Sequence, residues 1–143
     1  MSQEQALNQA LEAIHFGFRA IIAKPDAILA QMGLARTHHR ILYFVGRNAG
    51  LSVNDLLRIL AVSKQYLNRP LKELVERGLI ATETDPQDRR VKRLQLTAQG
   101  EALERQLTGE QRRRLAQVFA ESSQADVDAW QRVMQLVADA RFD

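Results

Sequence analysis

Leu7, Leu11, Ile14, Phe18 and Ile21 recur at alternating steps of four and three between Gln3 and Ala23, and Ala10, Ala13 and Ile22 widen the stripe. This spacing predicts an amphipathic helix. Lys24-Pro25-Asp26 should interrupt it, with a second short helix through Ile28 and Leu29 ended by Gly33. A third helix is expected after Thr37, carrying Ile41, Leu42, Phe44 and Val45 and stopping near Asn48-Ala49-Gly50. Ser52-Val53-Asn54-Asp55 has the form of a capping box ahead of Leu56, Leu57, Ile59 and Leu60, so a short helix begins there. After Ala61-Val62, Ser63 can cap a further helix that runs toward Gly78. Leu79 to Thr84 and Val91 to Leu96 read as strands of a hairpin, since Leu94 and Leu96 alternate with Arg93 and Gln95. Thr97 can open a long helix through Leu103, Leu107, Leu115, Val118 and Phe119. Ser122-Ser123 separates it from a last helix bearing Val127, Trp130, Met134 and Val137.

The helix after Ser63 contains an apparent fault. Leu67, Leu71 and Leu74 form an inward row, yet Pro70 sits among them with no N–H to donate. Two readings follow: a helix from Lys64 kinked at Pro70, or a loose first turn with the regular helix starting near Asn68. The good cap and the membership of Leu67 in the row favour the kink. With the leucines inward, Gln65, Arg69, Lys72 and Glu76 point nearly opposite at about 100° per residue, and Tyr66 and Asn68 lie on the flanks.

Composition narrows the chemistry. The 143 residues, 45% of them hydrophobic, suffice for one domain with its own core. With no cysteine, thiol catalysis, thiolate metal sites and disulfides are excluded, and a reducing compartment fits. The polar start (Ser2, Gln3, Glu4, Gln5) and the lack of a long apolar run predict no signal peptide, no membrane span and a cytoplasmic location. The net charge of +3 is unevenly spread: residues 36–97 hold 12 Lys/Arg against 6 Asp/Glu, and the rest 8 against 11. A basic middle between acidic ends suggests a polyanion partner, although a charged segment on a soluble domain can also be simple solvated surface.

Helix, turn, helix, then hairpin is the order of a winged helix-turn-helix, whose second helix fits the major groove of duplex DNA. Gln65, Asn68 and Arg69 are of the types that make bidentate base contacts, with Tyr66 and Lys72 beside them, and Ser63 and Lys64 at the helix start suit phosphates. The hairpin tip clusters Arg89, Arg90, Lys92 and Arg93, where one arginine can enter a minor groove while its neighbours hold phosphates. The bland alternatives are a solvated helix face and a charged edge that blocks aggregation.

Residues 71–80, LKELVERGLI, and 85–100, DPQDRRVKRLQLTAQG, resemble the recognition-helix exit and wing of the multiple antibiotic resistance regulator (MarR) family of transcription factors. The matching parts are Leu74 to Ile80, the Asp88-x-Arg90 tip, and Leu96-Thr97 followed by Gly100. The resemblance implies a mainly α chain with a small β-hairpin wing, a winged helix-turn-helix with N- and C-terminal dimerisation helices, and a homodimer on a pseudopalindromic operator of double-stranded DNA. By position, Arg90 would be the minor-groove arginine, Asp88 the carboxylate that orients the tip, and Arg89 a backbone contact. The whole chain is then one domain, with residues 36–97 as the DNA-binding part and 1–33 and 98–143 as the dimerisation part. Apolar stripes at both termini of a short chain agree with a subunit interface.

The family also implies a possible small aromatic or anionic effector between the dimerisation helices and the winged part, for which His15, Arg19, His39 and Tyr43 are the candidates. Adjacent His38 and His39 point about 100° apart on a helix and cannot face one metal together. No phosphate loop, nucleophile elbow or metalloprotease motif is present, so neither catalysis, cofactor nor metal is expected. The rival reading is a winged-helix protein-interaction module without specific DNA binding.

Overall fold

The computed structural model describes residues 1–142. The elements run α1 (Gln3–Gln31), α2 (Arg36–Arg47), α3 (Val53–Leu60), α4 (Lys64–Glu76), β1 (Ile80–Thr84), β2 (Lys92–Leu96), α5 (Ala98–Ala120) and α6 (Gln124–Ala138). The expected mainly helical chain with a small hairpin is therefore present.

The expected break at Lys24-Pro25-Asp26 is absent, because α1 continues through Pro25 to Gln31. Proline removes one donor and costs a regular helix about 3 kcal/mol, but here each residue of the triplet has a tertiary partner. Pro25 is fully buried, Lys24 faces Glu110 at 3.6 Å, and Asp26 faces Arg36 at 3.4 Å. The two ion pairs are exposed and weak, so burial of the Pro25 ring beside Leu29 is the larger stabilising part.

α2 starts at Arg36, ahead of the expected start after Thr37. The N-cap is Ala35, whose N–H donates to His38 Nδ1 at 3.0 Å, which releases the Thr37 hydroxyl for Tyr66 at 3.0 Å. α3 carries its capping box as expected: Ser52 Oγ accepts from Asp55 N–H at 3.0 Å, and Asp55 accepts from Ser52 N–H at 3.1 Å.

α4 is capped by Ser63, whose Oγ accepts from Tyr66 N–H at 3.1 Å. The Leu67 N–H already bonds the Ser63 carbonyl at 3.1 Å. The alternative start near Asn68 is thereby overturned, and Pro70 lies inside one unbroken helix. α4 ends at Gly78, whose φ of +72° only glycine adopts freely. The Gly78 and Leu79 N–H groups then bond the Val75 and Leu74 carbonyls, both at 3.0 Å.

β1 and β2 pair antiparallel with Ile80 opposite Leu96 and Thr82 opposite Leu94, each strand starting one residue later than expected. The α2–α3 loop adds a short third rung, since Gly50 N–H bonds the Leu94 carbonyl and Leu94 N–H the Leu51 carbonyl, both at 2.9 Å. The core is centred on Ile41, Leu42, Leu56, Leu67, Leu74 and Leu94, closed on one side by Leu29 of α1 and Leu107 of α5. α6 buries no residue, and residues 3–19 of α1 are exposed throughout.

Candidate nucleic-acid interface

The leucine row of α4 faces inward, with Leu67 and Leu74 buried, and the opposite row faces solvent. Ser63, Lys64, Gln65, Tyr66, Asn68, Arg69 and Lys72 are all exposed on this row and its flanks. Arg69 Nε lies 3.3 Å from Glu73 and Lys72 Nζ 3.9 Å from Glu76. The Lys72–Glu76 pair is exposed at both ends and worth a few tenths of a kcal/mol at most, so a phosphate can replace that carboxylate, whereas Glu73 is half-buried. Pro70 lies toward the packed side, half-buried, and leaves the row clear.

The hairpin tip is organised by two aspartates. Asp85 Oδ1 accepts from the N–H groups of Gln87 (2.8 Å) and Asp88 (3.3 Å), while Oδ2 accepts from Arg93 Nε at 3.0 Å. Asp88 receives the Arg90 N–H at 3.1 Å and the guanidinium through Nε (3.1 Å) and Nη2 (3.3 Å). These bonds favour the ionised carboxylates: the Gln87 N–H first and then Arg93 hold Asp85 below its ordinary value, and the Arg90 side chain and N–H do so for Asp88. Arg90 remains 90% exposed beyond its pair, and Arg89 and Lys92 are exposed beside it. Arg93 departs from the expected cluster. It turns back to Asp85 and donates to the Gly50 carbonyl at 3.2 Å, bracing the hairpin against the α2–α3 loop.

Of the four effector candidates, His39 and Tyr43 stand together and His15 and Arg19 do not join them. His39 and Tyr43 line a cleft of about 170 Å³ with Phe18, Ile22, Arg36 and Arg40. His15 and Arg19 instead contact Phe16 on the exposed part of α1, His15 edge-on with ring centroids 5.1 Å apart and Arg19 5.6 Å from the ring centre. Sequence reasoning missed Arg36 and Arg40, the cations of the cleft. Their signal was a spacing of four on α2, which puts them on one helical face.

His39 is buried, with Nε2 3.0 Å from Thr108 Oγ1 on α5. The Thr108 hydroxyl donates to Glu104 at 3.2 Å, so it accepts from His39 Nε2–H. Burial pushes the imidazole below its ordinary value, against the opposing charge of Asp26. The unfolded chain then binds more protons than the folded one below about pH 6.5, so stability falls as pH drops through that value. Thermal midpoints should decline between pH 7.5 and 5.5, and His39→Gln, which does not titrate, should flatten the decline. An unchanged slope in the variant would assign the pH dependence to other groups.

The chain is 35% identical over 136 residues to the HTH-type transcriptional regulator PetP of Rhodobacter capsulatus, covering 95% of this chain and 82% of PetP. A family profile described as MarR family matches residues 32–91. This chain belongs to the MarR family. The assignment places it among DNA-binding transcription regulators with a winged helix. A crystal structure of another MarR family transcription regulator superposes with a TM-score of 0.81 at 26% identity, over 98% of this chain and 91% of that one. Streptococcus pneumoniae FabT in complex with DNA has the same fold, with a TM-score of 0.80 at 17% identity over 95% of each chain. Asp88 pairs with Arg90 at the tip of the hairpin, and Asp85 and Arg93 hold the hairpin beneath it. Sequence reasoning did not assign that bracing role. Its signal was the Asp85-Pro86-Gln87 opening of the turn, where an aspartate side chain takes the N–H two residues on.

Proposed function

We propose that the protein is a homodimeric, sequence-specific transcriptional regulator of the cytoplasm, placing α4 of each protomer in a major groove of a pseudopalindromic operator and Arg90 in the flanking minor groove. Residues 36–97 form its DNA-binding part, and 1–33 with 98–143 its dimerisation part. The observation that carries this reading is the exposed row Gln65, Asn68 and Arg69 on a well-capped helix, beside a wing whose arginine is held at the tip. In this reading Gln65, Asn68 and Arg69 contact bases, Ser63, Lys64, Tyr66, Lys72, Arg89 and Lys92 contact the backbone, and Asp88 orients Arg90. Large apolar side chains left in solvent on α1 and α6, among them Leu7, Leu11, Trp130 and Val137, support the dimer. Two-fold symmetry then spaces the two α4 helices about 34 to 36 Å apart, one turn of DNA.

The cleft between α1 and α2 is the place for an effector that releases the protein from DNA. Arg36 and Arg40 suit a carboxylate, and Phe18 and Tyr43 suit an aromatic ring.

A salt titration tests the DNA reading. With six to ten phosphates contacted, affinity for duplex DNA should fall by about 10³ to 10⁵ between 50 and 200 mM salt, and one sequence selected from random duplexes should bind well above the rest. A shallow salt dependence with no selected sequence would reject it in favour of a protein partner.

A further inference from the structure

Thr37 and His38, in the first turn of α2, touch α4 at two points. Thr37 meets the Tyr66 hydroxyl at 3.0 Å, and His38 meets Glu73, Nε2 to Oε2, at 3.5 Å. Arg69 lies between those two positions on α4 and is paired with the other oxygen of the same carboxylate, Nε to Oε1, at 3.3 Å. His38, Glu73 and Arg69 thus form a chain that starts in the core and ends on the exposed row. His38 is only 8% exposed, and Arg69 is 91% exposed at its side chain.

The protonation of the ring gives this chain a direction. His38 Nδ1 accepts the Ala35 N–H at 3.0 Å, which leaves the proton of the neutral imidazole on Nε2. Nε2 is buried and completes no hydrogen bond among the described residues, and a buried donor without a partner is costly. Glu73 is the acceptor next to it, a few tenths of an ångström beyond full bonding distance. One end of the Glu73 carboxylate therefore has a strong reason to stay against α2. An isolated Arg–Glu pair at i, i+4 with arginine N-terminal is the weaker orientation and would not by itself restrain so exposed a guanidinium. A carboxylate anchored at its far end restrains it better, because the side chain has fewer rotamers left to lose on binding.

The geometry points to His38 as a positioning residue for base recognition: through Glu73 it sets where the Arg69 guanidinium stands before DNA arrives. The inference rests on the reading of α4 as the base-contacting helix and adds a specificity determinant that touches no DNA. It also gives the adjacent histidines separate tasks, since His38 holds α4 while His39 faces the cleft and α5.

The experiment measures base-pair discrimination on single-position variants of the operator selected from random duplexes, using the full-length protein. In His38→Gln the amide carbonyl replaces Nδ1 as acceptor and the amide N–H replaces Nε2–H as donor, so discrimination should be retained. His38→Glu keeps the acceptor that the helix start uses but opposes Glu73, so discrimination at the base pair read by Arg69 should fall about tenfold while other positions hold. Glu73→Ala should give the same loss and carries the decision if His38→Glu does not fold. In an Arg69→Ala background neither change should reduce discrimination further, which is the signature of one coupled unit. Equal losses at every base pair, full discrimination in Glu73→Ala, or effects that add to those of Arg69→Ala would each overturn the relay. If Arg69→Ala itself keeps full discrimination, the assignment of Arg69 as a base reader falls too, whereas loss in Arg69→Ala with retention in Glu73→Ala removes the relay alone.

Discussion

Gly100→Ala should cost about 3 kcal/mol, the upper end for a forced overlap in a packed site, and lower the thermal midpoint by roughly 10 °C at this chain length. A Cβ at position 100 would lie 1.9 Å from the Leu79 carbonyl oxygen and 2.9 Å from its carbon. Neither atom is free to move. The Leu79 carbonyl accepts the Thr97 N–H at 3.1 Å, Thr97 Oγ1 donates to the Gly78 carbonyl at 2.6 Å, and the Gly100 N–H bonds Thr97 Oγ1 at 3.0 Å. The first turn of α5 is thus locked onto the exit of α4, and relief of the clash must part α5 from the end of α4 and the hairpin. Gly109, on the same helix, has nothing within 4 Å of an added Cβ. Gly109→Ala should therefore stabilise by about 0.5 to 1 kcal/mol through helix propensity alone. Denaturant or thermal melts of the two variants check the contrast, and a mild effect at Gly100 would mean that the α5 start can slide.

Arg90→Ala should weaken operator binding roughly tenfold, and the loss should concentrate at the operator flanks, where a preference for A·T pairs should relax. A narrow A·T minor groove deepens the negative potential that draws an arginine, so removing the side chain removes both affinity and that preference. Asp88 holds Arg90 at the tip by two side-chain bonds, and the guanidinium is otherwise in solvent. Arg89→Ala serves as the comparison. As a phosphate contact it should lower affinity evenly across sequences and reduce the salt slope by about one unit. Binding curves on operators with A·T or G·C flanks separate the two, and equal flank preference before and after Arg90→Ala would exclude the minor-groove role.

Local chemistry made several elements legible before any tertiary information. Ser52 and Asp55, Ser63 and Thr97 each announce a helix start, and each is bonded as its spacing implies. The reason is that a cap satisfies N–H groups within four residues of itself, so its energy is contained in the local sequence. The alternation of Leu94 and Leu96 and the Asp88-x-Arg90 tip were legible for the same reason, and the wing pair forms within three residues.

Where a residue's partner lies far along the chain, the sequence misled or was silent. Pro25 reads as a helix stop, yet its ring is buried and its neighbours pair with Arg36 and Glu110, so α1 runs on. Pro70 poses the same question in α4, and there the local cap at Ser63 and the burial of Leu67 and Leu74 decided for a single helix from Lys64. Thr37 reads as lying just ahead of a helix and is instead inside α2, with its hydroxyl meeting Tyr66, 29 residues away. Arg93 reads as part of a cationic tip and is a brace to Gly50, 43 residues away. The effector candidates divided likewise: His39 and Tyr43 reached a common cleft with Arg36 and Arg40, while His15 and Arg19 stayed with Phe16. By itself the sequence determined the order of elements, their capped starts and the basic row and wing, because hydrophobic period and capping are short-range. Only the tertiary structure decided that α1 passes through Pro25, that Arg93 braces the hairpin, and which side chains share a cleft, because those outcomes depend on burial and on partners that no local pattern specifies.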